Sequence, residues 1–219
     1  KGILFTAWFG TPIHELGHVF FAKIFRHRVN HISLFEPNAS TGGLGQVDHS
    51  YNKYSLYQRL GNFFIGAAPM IFGSLILFLM LYFLVPNGRE IFLPLTNSQG
   101  SFSNIISSLQ ETFKYLFTPA NLTAWNFWLF IYLSFCLSAH IAPSKLDRKQ
   151  MWGGFFWIVL LLIIFNILAL LFKINLTAYL LRINHYLAVL IAVFAYTTII
   201  SLLHFLLASI IFFPFRHRR

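Results

Sequence analysis

Apolar runs long enough to cross a bilayer, each closed by basic residues or by proline and glycine, set the frame for this chain of 219 residues. A helix needs about 20 apolar residues to span a hydrocarbon core roughly 30 Å thick. Runs of that order lie at 3–25, 59–85, 123–142, 151–172 and 185–213. They imply about five transmembrane helices and an all-α polytopic membrane protein. Composition agrees: 57% of residues are apolar and 10% charged, where a soluble domain carries about 25% charged residues. The runs are expected to form a single membrane-embedded domain over 1–219, with a core at 1–155 and additional helices over 151–213.

The segments between the runs are short and of two kinds. Residues 29–58 are polar, with candidate strands at 29–35 and 44–48 and turn residues Pro37, Asn38, Gly42, Gly43 and Gly45 between them. This reads as a short cytoplasmic hairpin or loop. An exposed strand edge there would be able to hold an extended peptide by backbone pairing. Residues 102–117 instead place Phe102, Ile105, Ile106, Leu109, Phe113, Leu116 and Phe117 at helical spacing. That pattern suits an amphipathic helix lying on the membrane surface. Cys136 is the one cysteine, so no internal disulfide is possible, and its apolar setting points to packing.

The net charge of +10 does not point to nucleic acid. The basic residues sit in small groups at the ends of apolar runs, as topology determinants do; a nucleic-acid binder gathers them on one face. With the end of the first run in the cytoplasm, that side collects Lys23, Arg26, Arg28, Lys53, Arg59, Lys145, Arg148, Lys149 and the tail Arg216, Arg218 and Arg219. Lys1, Arg89, Lys114, Lys173 and Arg182 remain for the other side. The first run leads into its basic flank without a small-residue cleavage site, so no cleavable signal is expected.

Within the first run stands His14-Glu15-Leu16-Gly17-His18. On a helix, positions i and i+4 lie one turn apart on the same face. Two imidazoles so placed can bind one Zn²⁺, with the adjacent Glu15 as general base toward a metal-activated water. The chain has only six acidic residues, and one falls between two histidines in apolar surroundings. Ionisable groups at membrane depth are costly and mark functional sites. Pro12 just before the motif predicts a kink or a fresh helix start, with Thr11 as cap.

A catalytic zinc takes three protein ligands and keeps one open position. Of the other acidic residues, Glu90 and Glu111 fall on the far side in this topology, and Glu36 and Asp48 in the cytoplasmic loop. Asp147 follows the third apolar run and a proline break on the same side as His18, which makes it the candidate third ligand. Its other reading is a helix cap or a partner for Arg148 or Lys149. His140 is the alternative, as ligand or as a substrate-facing residue. For His27, His31 and His49, a solvated or hydrogen-bonded role is expected, and for His204 a hydrogen bond inside the fifth run.

Over about its first 155 residues the chain resembles the site-2 protease family of intramembrane zinc metalloproteases. His14-Glu15-Leu16-Gly17-His18 matches the family's first motif. Gly42-Gly43 is similar in kind to its glycine-containing loop. Gly66-Ala67-Ala68-Pro69 resembles its Ala-Gly-Pro stretch, with alanine for glycine. Pro143-Ser144-Lys145-Leu146-Asp147 resembles its proline-rich segment leading to a ligand Asp-Gly, with Arg148 in place of the glycine. The resemblance implies a compact member that hydrolyses a peptide bond of a transmembrane or membrane-tethered substrate. Zn²⁺ would be held by His14, His18 and Asp147 near the cytoplasmic side of the membrane, which is expected to be a bacterial plasma membrane. Substrate contacts would come from Gly42, Gly43 or His140. Two readings from other classes stand beside it: a non-catalytic metal-binding membrane scaffold of the same fold, and a metal or solute transporter.

Overall fold

The computed structural model describes residues 4–37, 44–91, 93, 102–176, 191, 194, 198, 202 and 206. The first apolar run forms helix α1 (Leu4–Ile24). Pro12 lies inside it, so the helix neither stops nor restarts there, although Trp8 loses the N–H that its carbonyl would have accepted. The helix ends in a left-handed turn. Arg26 has φ of 57°, and the His27 N–H reaches back to the Ala22 carbonyl at 2.8 Å, closing off a helix end that would otherwise leave carbonyls unpaired.

This turn sends the chain into β1 (Arg28–Ser33), which pairs antiparallel with β2 (Gln46–Ser50). The register sets Val29 opposite His49 and His31 opposite Asp48, with an irregularity between them at Asn30. The expected hairpin is therefore present, its strands shifted by one or two residues. Gly42 and Gly43 lie outside the described residues.

The run expected as one helix over 59–85 is two: α2 (Leu56–Gly66), capped by Ser55, and α3 (Ala68–Leu84), bent by 59°. One contribution to the break is local. Pro69 has no N–H to offer the Ile65 carbonyl four residues back, which removes one rung of the helical ladder at the bend; at Pro12 the same loss leaves α1 unbroken. Further on come α4 (Phe102–Leu116), at the position of the expected amphipathic helix, the short α5 (Pro119–Thr123) and α6 (Trp125–Ser138). Asn121 of α5 is fully buried and donates to the Asn87 side chain and to the Tyr115 and Leu116 carbonyls at 2.7–3.1 Å.

The last described helix, α7 (Lys145–Leu171), begins six residues before the expected 151. Ser144 and Asp147 form a reciprocal capping box at its start, which satisfies two N–H groups at once. Helices α2 and α7 meet where neither has a side chain in the way. A Cβ on Gly66 would lie 2.7 Å from the Met151 nitrogen, and one on Gly154 2.8 Å from the Phe63 Cα. Small residues at such crossings let backbones approach.

Contacts divide the chain into two compact units. Lys1–Gly73 with His140–Ile183 form the first, and Ser74–Ala139 with Asn184–Arg219 the second. The first holds α1, the hairpin, α2 and α7, around the buried Ala7, Ala22, Ile65, Ala67 and Ala68.

The protein is mostly helical. Among the described residues α7 is the one helix long and apolar enough by itself to cross a membrane, and α2 with α3 is a second if the bent pair is one span. The other expected spans fall short for physical reasons. Helix α6 has 14 residues, about 21 Å at 1.5 Å per residue. Helix α1 carries His14, Glu15, His18 and Lys23 within its apolar run. The expected span over 185–213, with His204, lies almost wholly outside the described residues.

Candidate metal centre

Helix α1 sets His14 and His18 one turn apart, and each ring is held from behind by a backbone carbonyl. His14 Nδ1–H donates to the His140 carbonyl at 2.6 Å, and His18 Nδ1–H to the Ile65 carbonyl at 2.9 Å. A carbonyl only accepts, so the hydrogen of each neutral ring is on Nδ1 and the lone pair on Nε2. The Ile65 carbonyl is available because Pro69, at the position that would bond it in a continuous helix, has no N–H. The two Nε2 atoms then face each other at 3.2 Å. Lone pairs so placed in a buried setting repel unless a cation sits between them.

The carboxylate of Asp147 completes the group. Its Oδ1 is 3.4 Å from His18 Nε2 and its Oδ2 is 3.7 Å from His14 Nε2. The capping box aims it: Ser144 N–H donates to Oδ2 at 2.7 Å, and the Ser144 hydroxyl accepts from Asp147 N–H at 3.2 Å. Asp147 thus caps α7, one of the readings weighed from sequence, and the same carboxylate faces both imidazoles. Among the described residues, His14, His18 and Asp147 form the group of ligand atoms, all within 4.8 Å of one another, that can hold a metal ion. A tetrahedral ion with bonds near 2.05 Å needs ligand atoms about 3.3 Å apart, and the observed spacings bracket that value.

His140 reaches this group with its carbonyl, not its ring. Its Nε2 lies 3.2 Å from the Thr6 hydroxyl. The ligand set with His140 in place of Asp147 is not the one these side chains make; His140 orients His14 instead. Metal-binding histidines are commonly held in this way through the nitrogen that does not ligate.

Glu15 is buried and borders the same cleft of about 620 Å³ as His14, His18 and Asp147. The opposite wall comes from the hairpin. A Cβ on Gly45, just before β2, would lie 2.8 Å from Glu15 Cγ and 2.9 Å from Thr11 Cγ2, so a larger residue there would have to displace one of these side chains. Residues Gln46–His49 of β2 continue along the cleft, joined by Asn62, Leu146 and Gln150.

Sequence reasoning missed Gly45, Asn62, Ser144 and Gln150 at the site. The Ser144-x-x-Asp147 spacing is a recognisable helix-start signal and would have placed the carboxylate in the first turn of α7. His27 and His49 are hydrogen-bonded, as one of the two expected roles had it, and the partner is the other ring, with Nδ1 atoms 3.0 Å apart; His27 is buried rather than at the surface. Burial pushes the pKa of both below the ordinary histidine value. His31 is exposed. Comparison with protein-family models, with curated proteins and with solved structures finds no match.

Proposed function

We propose that the chain is a zinc-dependent endopeptidase, similar to the site-2 proteases, which hydrolyses a peptide bond of a membrane-embedded or membrane-tethered substrate. One observation carries this reading: two imidazole lone pairs and a carboxylate converge on one point, while Glu15 on the same helix borders the same cleft. Two imidazoles and a carboxylate suit zinc, and three protein ligands leave the open position that a catalytic site needs. Bound by His14, His18 and Asp147, Zn²⁺ would supply Lewis acidity, lowering the pKa of a water to about 7 and polarising a carbonyl.

The chain's own residues do the rest. Glu15 takes the proton of the attacking water on its carboxylate and passes it to the amine nitrogen as the C–N bond breaks. The His140 and Ile65 carbonyls keep both imidazoles in the metal-binding tautomer. Strand β2 pairs with β1 along one edge, and its cleft-lining residues suit an extended peptide added by backbone pairing. Such pairing requires the substrate to be unwound locally. The long apolar surface of α7 supports a membrane location, and the basic residues at its start favour the cytoplasmic side for the site.

The test is cleavage of a membrane-tethered reporter in proteoliposomes by zinc-loaded protein and by Glu15→Gln. The expected result is cleavage by the parent and a loss of at least about 100-fold in Glu15→Gln, with zinc still bound. Full cleavage by Glu15→Gln contradicts the assigned chemistry. A zinc-loaded parent that cleaves nothing supports the scaffold reading, and one that moves zinc across the bilayer supports the transporter.

A further inference from the structure

A second polar cluster borders the cleft, and its hydrogen bonds can be followed atom by atom. His27 Nε2–H donates to the Gln58 carbonyl at 2.9 Å, which leaves His27 Nδ1 as an acceptor. That atom lies 3.0 Å from His49 Nδ1, so His49 carries its hydrogen there. His49 Nε2 is then an acceptor, and the Gln150 side-chain amide donates to it at 2.7 Å. The other hydrogen of the same amide goes to Asn62 Oδ1 at 3.2 Å. Every donor finds an acceptor with both rings neutral, and the Tyr51 ring stacks on His27 at 5.0 Å between centroids.

This chain of bonds joins the turn after α1, strand β2, helix α2 and helix α7. Gln150 stands three residues after Asp147, on the same face of α7. His49 stands four residues after Gly45, the residue that seats on Glu15. A two-stranded hairpin is marginally stable by itself, so where β2 lies depends on what anchors it. The seat of Gly45 tolerates little movement, because even a Cβ there would overlap Glu15 and Thr11.

We propose that the hydrogen bond between His49 and Gln150 is a strut that fixes β2 against α7, setting the width of the cleft and the seat of Gly45 on Glu15. Gln150 is in this sense a positioning residue, and its consequence for turnover rests on the protease reading above. Removing the strut lets β2 drift from α7 while the three metal ligands stay where they are.

A double-mutant cycle tests this, using His49→Asn, Gln150→Met and the pair together. Asn retains a donor near the place of His49 Nδ1 and loses the acceptor for Gln150; Met keeps the length of Gln150 and loses both donors. Spin labels attached to cysteines at the exposed positions His31 and Arg148, in a Cys136→Ser background, read the separation of hairpin and α7. Each single variant is expected to keep its zinc, broaden that distance distribution and lower kcat/KM on the reporter about tenfold. The double variant should be no worse than either single, because one bond is lost in all three. Distances unchanged in both single variants, or losses that multiply to about 100-fold in the double, overturn the strut. A parent that cleaves no reporter defeats the protease reading alone, since the distance measurement still decides the strut. His49→Asn lies on the hairpin, away from the α2–α7 crossing, and retained zinc shows that a variant has folded.

Discussion

Asp147 accepts the Ser144 N–H on Oδ2 while its Oδ1 faces His18 Nε2, so one carboxylate caps α7 and closes the imidazole cluster. The two roles separate on substitution. In Asp147→Asn the side-chain oxygen still accepts from Ser144 and the helix start persists, but the charge is gone. Thermal stability of the metal-free protein should change by less than about 1 kcal/mol, while zinc affinity, read by titration against a chelator, should fall by about 100-fold or more. Parent affinity in Asp147→Asn would remove the carboxylate from the centre. At this scale the sequence was informative about types and spacing. His14, Glu15 and His18 declare themselves through the helical repeat, and Asp147 through its place after Pro143. The carbonyls behind the rings were not legible, because Ile65 and His140 are distant in sequence and contribute backbone atoms that carry no residue signature.

At the scale of elements, the site depends on two helices touching. Gly66 and Gly154 allow α2 and α7 to cross closely enough for Asp147 to reach His18. Gly66→Ala puts a methyl group against the α7 backbone at Asp147 and Met151. It should destabilise the protein by roughly 1–3 kcal/mol and weaken zinc binding, because α7 has to move. Gly153 is the contrast: a Cβ there meets nothing within 4 Å. Gly153→Ala should be neutral or stabilising by up to about 1 kcal/mol and should keep its zinc. Denaturation in one detergent, with zinc content measured in parallel, compares the two; equal effects would mean that the crossing does not position the ligand. The small residues of the second run were visible in the sequence, as was the helical identity of that run. Its division at Ala67 was readable only from Pro69, and a proline within an apolar run is compatible with a straight, a kinked or a broken helix.

Over the whole molecule, mostly helical character and a membrane-length α7 followed from composition and run length. The expectation of five spans went further than the described helices do, because run length ignores where a helix bends or stops: one run is broken at Ala67, and another yields only the 14 residues of α6. The pairing of His27 with His49 depended on strand register across the hairpin, which residue types do not encode. That pair makes stability depend on pH. Burial lowers both pKa values, so the unfolded chain takes up protons first as pH falls. Their contribution is full above the ordinary histidine value of about 6.5 and is lost progressively below it. The melting temperature of metal-free protein should fall from pH 8 to pH 5, and the fall should be shallower in His27→Gln. Equal slopes would mean that the pair is not buried as a neutral unit.

The measurement that bears most directly on the metal centre is zinc content per chain in the purified protein, beside Asp147→Ala and His140→Ala. The expected result is about one zinc in the parent and in His140→Ala, which keeps the carbonyl that holds His14, and none in Asp147→Ala. A parent that binds no zinc after reloading, or zinc lost in His140→Ala and kept in Asp147→Ala, would contradict a centre built from His14, His18 and Asp147.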